Sequence, residues 1–174
     1  MREMMNRPPA AASWHIRRYE SGDAGRVQEI RAAAFAPVFA SFRAIVGPSI
    51  AEPLFGEADA SQARYLASLY ESDERERLFV VEAEGAGVGF VHLSLDEDKC
   101  FGEIGLNAVD PAYSGRGIGT ALYRFAIDYF RSHGMKAAKV ATGGDSSHAS
   151  ARKAYEKAGF DIALPTVTYY MDLT

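Results

Sequence analysis

The 174-residue sequence holds one cysteine, Cys100. That excludes an intrachain disulfide framework and leaves no thiolate set for a structural zinc. The four histidines, His15, His92, His133 and His148, stand far apart without ligand spacing, so no metal is expected. A basic excess is also missing. Net charge is −4, with a sequence pI near 5.6. The chain as a whole carries no footprint for nucleic acid. No apolar run approaches the length that spans a bilayer, and the first residues hold no stretch of signal-peptide type. The expected location is the cytoplasm, away from membranes. Internal repeats and low-complexity linkers are absent.

What is present fits an ordinary globular domain: 48% hydrophobic and 24% charged residues. Residues 1–12, with Pro8-Pro9 and no periodicity, read as a flexible N-terminal arm. Residues 13–174 read as one domain. Apolar and polar residues alternate from Trp14 to Tyr19, which predicts a strand. Asp23 is placed to cap a helix through Val27, Ile30 and Ala34. The stretch 35–60 mixes apolar residues with Pro37, Pro48, Pro53, Gly47 and Gly56, which predicts short helices and turns. A helix over 60–72 follows. Residues 78–83, 88–95 and 100–109 predict a three-strand antiparallel meander. A long amphipathic helix runs from Ile118 through Leu122, Phe125 and Tyr129, and Gly134 ends it. A strand over 137–142, a helix over 149–158 and one or two strands over 160–174 complete the chain. A right-handed crossover then makes the 137–142 strand parallel to the 100–109 strand.

Gly115-Arg116-Gly117-Ile118-Gly119-Thr120 joins a strand to a helix. Glycine there lets the backbone turn sharply and approach an anion closely. The free N–H groups of the helix start then face that anion, helped by the helix dipole. Arg116 adds a cation and Thr120 a hydroxyl. The loop is not a P-loop, because Gly119 rather than Lys precedes Thr120. It also lacks the third glycine of the dinucleotide fingerprint.

Taken with its neighbours, this loop resembles the GNAT N-acetyltransferase family. Glu103 to Pro111 is similar to that family's fourth strand, and Gly115 to Leu122 to its pyrophosphate loop and third helix. Residues 151–160 (Ala-Arg-Lys-Ala-Tyr-Glu-Lys-Ala-Gly-Phe) are similar to its fourth helix and the strand entry after it. The resemblance implies a three-layer α/β/α sandwich on a mixed, mostly antiparallel sheet, splayed between its fourth and fifth strands. It implies acetyl-CoA as co-substrate and direct acetyl transfer to the primary amine of a small molecule. The donor's arm would lie against Leu106, Ala108 and Val109. Ser114, Gly115, Arg116, Gly117, Ile118, Gly119 and Thr120 would hold its pyrophosphate. His148, Ala151 and Tyr155 would border it. Ser114 stands where the family usually has Arg or Gln, and His148 where it often has Asn. Homodimers are common in the family.

Acyl transfer to an amine needs a base for the amine and a donor for the developing oxyanion. It also needs an acid for the departing thiolate. Tyr155 matches the family's acid. Glu103 matches a glutamate that acts as base in part of the family; equally, it is a strand residue facing solvent. His148 is a cofactor contact, a base or a cap. The oxyanion donor is expected at an irregular strand end near Ala108 and Val109. The acceptor site is expected from residues 35–56 and the last strands, including Tyr169 and Tyr170. A non-catalytic acyl-CoA sensor and a protein acetyltransferase are the alternatives.

Overall fold

Alternating side chains become alternating faces once a segment is extended. Strand β2 (Leu78–Ala83) shows the result: Leu78 and Val80 belong to one core cluster, Phe79 and Val81 to the other. The computed structural model describes residues 13–174; the expected 1–12 arm lies outside them. Strand β1 (Trp14–Arg18) pairs antiparallel with β2. Strand β2 pairs with β3 (Ala86–Asp96), and β3 with β4 (Phe101–Val109), both antiparallel. Strand β5 (Ala137–Val140) then joins β4 in parallel, so the sheet order is β1-β2-β3-β4-β5.

Helices cover both faces. On one side α1 (Ala24–Val46) and α3 (Ala58–Tyr70) set Val27, Ile30, Leu66 and Leu69 against Leu78, Val80, Phe90 and Ala108. Between them in sequence, α2 (Pro48–Phe55) starts on Pro48, whose missing N–H is harmless in the first turn. On the other side α4 (Ile118–Ser132) and α5 (Ala149–Ala158) pack Ile118, Leu122, Phe130 and Tyr155 onto Val81, Val91, Leu93 and Ile104. The expected three-layer sandwich on a mixed sheet is therefore the fold. Helix α4 comes so close to β4 that a Cβ on Gly102 would lie 2.5 Å from the Phe130 ring. Among the described residues, no helix is long and apolar enough to cross a membrane.

Two expectations are corrected. Helix α1 does not stop near residue 34 but runs through Pro37 to Val46. A proline inside a helix removes a hydrogen bond and costs about 3 kcal/mol. Burial of Val38 and Phe39 just beyond it offsets that cost. The second correction concerns residues 160–174, expected as strands. No strand forms there, and Ile162, Leu164, Val167, Tyr169, Met171 and Leu173 are each at least 74% exposed. An alternating sequence becomes a strand only when a neighbour takes its backbone hydrogen bonds, and among the described residues β5 pairs with β4 alone.

Candidate active site

Strand β4 carries the site, and its pairing pattern makes the opening. Phe101, Gly102, Glu103 and Ile104 pair in register with Ala137, Ala138, Lys139 and Val140, and there the pairing stops. From Gly105 to Val109 the β5-facing edge of β4 is free, while the chain beyond β5 departs through Ala141 and Thr142. The two strands diverge, and a cleft of about 840 Å³ occupies the gap. A bulge sits at the fork. On the β3 side Val91 pairs with Asn107 and Leu93 with Ile104, so His92 alone opposes Gly105 and Leu106. Gly105 is needed there, because a Cβ would lie 2.9 Å from His92 Nδ1. The irregularity expected near Ala108 and Val109 is therefore at Gly105-Leu106, since this is where β4 has one residue more than β3 to accommodate. His92 is buried, and burial lowers its pKa although hydrogen-bonding to Glu74 opposes the shift.

At the top of β4, Asp110 accepts a hydrogen bond from Ala112 N at 2.8 Å and an ion pair from Arg26 of α1. This starts the turn that leads into the glycine loop. Gly115 and Gly117 adopt φ of 76° and 82°, in the left-handed region that favours glycine. The first backbone bond of α4 is Ala121 N to Gly117 O at 3.1 Å. Among the described residues, no backbone or side-chain acceptor meets the N–H groups from Gly115 to Thr120. Six consecutive unpartnered donors at the start of a 15-residue helix form a cradle for an anion. Arg116 folds over the Tyr113 ring at 4.7 Å, so only its backbone joins the cradle edge.

Thirteen of the fourteen expected residues, all except Arg116, line this one cleft: Glu103, Leu106, Ala108, Val109, Ser114, Gly115, Gly117, Ile118, Gly119, Thr120, His148, Ala151 and Tyr155. Tyr155 is buried, with its ring 4.4 Å from that of Tyr123. Burial pushes the Tyr155 phenol above its ordinary pKa of 10, and hydrogen-bonding to Tyr123 and Asn107 only partly opposes it. Tyr123 itself donates to Asn107 Oδ1 at 2.8 Å. Glu103 lies below the fork, ion-paired with Lys139 at 3.0 Å. On the far side α1 and α3 supply Phe35, Pro37, Val38 and Tyr65. Tyr169 and Tyr170, expected in this wall, are not among its lining residues; the tail that carries them leaves the fold, with Tyr169 90% exposed.

Three features have no binding or catalytic role in the sequence-based expectations, although Asp145 is expected to shape its loop. The Asn107–Tyr123 pair braces the fork from α4. Asp145 and Ser41 flank His148, with Ser41 donating to the Asp145 carboxylate at 2.7 Å. The spacing of Asp145 and His148 was a visible signal; Ser41, 104 residues away, gave none.

Substituting Gly117 by Ala tests the cradle. A left-handed alanine costs roughly 1–2 kcal/mol, although no atom lies within 4 Å of the new Cβ. Gly117→Ala is expected to lose about that much stability. Gly119→Ala, whose Cβ would meet neighbours only at 3.9 Å, is expected to keep the parent's stability. Urea titration of both variants decides this; equal stability of the two would remove the strain argument.

Comparison with known proteins gives concordant results. The model of the acetyltransferase (GNAT) family matches residues 48–160. An uncharacterised N-acetyltransferase of Methanocaldococcus jannaschii is 35% identical over 102 residues, 56% of this chain and 44% of that protein. The chain spans less than half the length of the curated relatives it matches. The ribosomal-protein-S18-alanine N-acetyltransferase of Escherichia coli superposes with a TM-score of 0.62 at 22% identity, covering 87% of this chain and 80% of that one. A GNAT family acetyltransferase of Brucella melitensis, solved with acetyl-CoA, gives 0.59 at 21% identity, covering 92% and 94%. With its forked β4–β5 pair, its β4 bulge and its matched stretch of residues 48–160, this chain belongs to the GNAT acetyltransferase family.

Proposed function

We propose that residues 13–174 form a single acyl-CoA domain that moves an acetyl group from acetyl-CoA directly onto the primary amine of a small molecule, in the cytoplasm. The observation that carries this reading is the row of six unpartnered N–H groups from Gly115 to Thr120, opening onto the fork of β4 and β5. That row suits a pyrophosphate in number, direction and sign. The fork suits the extended arm that follows it, because the free edge of β4 from Leu106 to Val109 offers backbone groups to a strand-like ligand. Acetyl-CoA, when bound, supplies an activated thioester carbonyl.

The chain's own residues then have separable tasks. Backbone donors of the Gly105-Leu106 bulge would supply hydrogen bonds to the carbonyl oxygen that gains charge. Tyr155, kept protonated by burial, gives its proton to the departing sulfur. Glu103, ion-paired with Lys139 below the fork, is a candidate to accept the amine proton through water. Holding donor and amine together in one cleft supplies much of the remaining acceleration.

The apolar wall of Phe35, Pro37 and Val38 supports a covered acceptor site and hence a small acceptor. The Escherichia coli protein named above acts, by its name, on a ribosomal-protein alanine. A peptide acceptor is the second reading, and a peptide-array signal above that of small amines would favour it.

Saturating acetyl-CoA is expected to stabilise the fold by about 2.7 kcal/mol at a hundredfold excess over Kd. For a chain of this size that is a rise in Tm of roughly 5–10 °C. A thermal scan with acetyl-CoA, CoA and longer acyl-CoAs measures it. No rise with any of them overturns the proposed function and leaves the fold untouched.

A further inference from the structure

His148 is held by more contacts than a cofactor wall requires. Its Nδ1 lies 2.7 Å from Asp145 Oδ1. The Asp145 carboxylate in turn accepts from Ser41 Oγ at 2.7 Å, from Ser147 N at 3.1 Å and from the Ser147 hydroxyl. Burial alone would raise the Asp145 carboxyl, but these bonds and the one from His148 hold it well below the usual carboxylate range. Arg152 fixes the same turn by donating to the carbonyls of Gly143 and Asp145. Phe42 of α1 stacks on the imidazole at 5.7 Å between ring centres. Gly143 completes the arrangement. A Cβ there would come within 2.5 Å of His148 Nδ1 and 2.6 Å of Asp145 Oδ1, so the pair closes only over a glycine.

In the neutral ring, a carboxylate on Nδ1 selects the tautomer that carries its proton there, which leaves the Nε2 lone pair free to accept a proton. Nε2 has no partner among the described residues, and His148 lines the cleft with Tyr155 and Ala108. Its neighbours Ser41 and Phe42 belong to α1, the helix that also supplies the acceptor wall. A bare imidazole nitrogen therefore sits where the donor cleft meets the acceptor side.

We infer that the Asp145–His148 pair, rather than Glu103, is the direct proton acceptor for the acceptor amine, with Asp145, Ser41 and Gly143 as positioning residues. The inference rests on the acyl-transfer reading above. In the step, the amine nitrogen forms a bond to the acetyl carbon as the carbon–sulfur bond breaks. The amine proton passes to His148 Nε2. The sulfur leaves with the electron pair of its bond and takes a proton from Tyr155. The imidazolium that forms is stabilised by the Asp145 carboxylate.

Two measurements test this on the full chain. The first is side-chain NMR of the histidines at neutral pH, which reads the tautomer without any reaction. His148 is expected with its proton on Nδ1, and Asp145→Asn is expected to disturb that state. A proton fixed on Nε2 would overturn the inference. The second is CoA release with spermidine, kanamycin and lysine methyl ester as probe amines. His148→Ala is expected to lose about 100-fold or more in kcat while its Tm still rises with acetyl-CoA. Added imidazole is expected to restore part of the rate, which a merely structural role does not predict. Wild-type release matched by equal release from His148→Ala overturns the base role alone. No release by the wild type with any probe, together with no Tm rise, overturns the acyl-transfer reading and the base role with it.

Discussion

Tyr155→Phe is expected to lower kcat by about 100-fold, or roughly 2.7 kcal/mol of barrier. Donor binding should survive, so the rise in Tm with acetyl-CoA is retained. The reasoning starts from burial. The phenol is 7% exposed, packed on Tyr123 and facing the cleft. Burial raises its pKa above 10, so the proton stays in place at neutral pH and is available to the leaving sulfur. The effect belongs at the lower end of the general-acid range, because a thiolate is already a fair leaving group. The pH dependence follows with a definite sign. A phenol raised above 10 in the fold stays protonated after the unfolded chain has begun to ionise. The folded state then binds more protons, and stability falls as pH climbs past 10. Steady-state CoA release at pH 7 checks the main expectation. A kcat within twofold of the parent would remove Tyr155 from the chemistry.

Phe90→Ala is expected to destabilise the fold by about 3–5 kcal/mol, the cost of emptying a fully buried phenylalanine site. That is a large share of the 5–15 kcal/mol typical of a domain. Phe90 is completely buried on β3, facing α1 and α3. Its register partner across the ladder is Ala108, on the β4 edge that borders the cleft. The substitution therefore removes support beneath the cleft as well as core volume. Urea unfolding with an unchanged slope and a lowered midpoint is the expected record. A loss below about 1 kcal/mol would mean that the α1–α3 layer collapses onto the gap.

How much of this was legible in the chain depends on the range over which each feature is decided. Helix α5 was expected over 149–158 and is Ala149–Ala158, because its amphipathic pattern and its closing Gly159 lie within one stretch. The glycine loop was legible for the same reason: a turn with φ near 80° is a local demand that few residues besides glycine meet. The sequence predicts too short an α1 because Pro37 is a local signal, whereas the burial of Val38 and Phe39 that overrides it is not. The tail from 160 to 174 failed in the opposite direction. Its alternation is that of a strand, but pairing requires a partner edge that the pattern itself does not contain.

The sequence by itself determined the order of the strands and helices from β2 to α5 and the anion loop, since each follows from side-chain period or from backbone freedom within a short window. Only the tertiary structure decided where β4 and β5 part, where the bulge sits, and that Ser41 and Phe42 of α1 clasp the Asp145–His148 pair. These depend on register and on approaches between segments up to 104 residues apart. Such contacts arise when whole surfaces pack together, and no local pattern of residues encodes them.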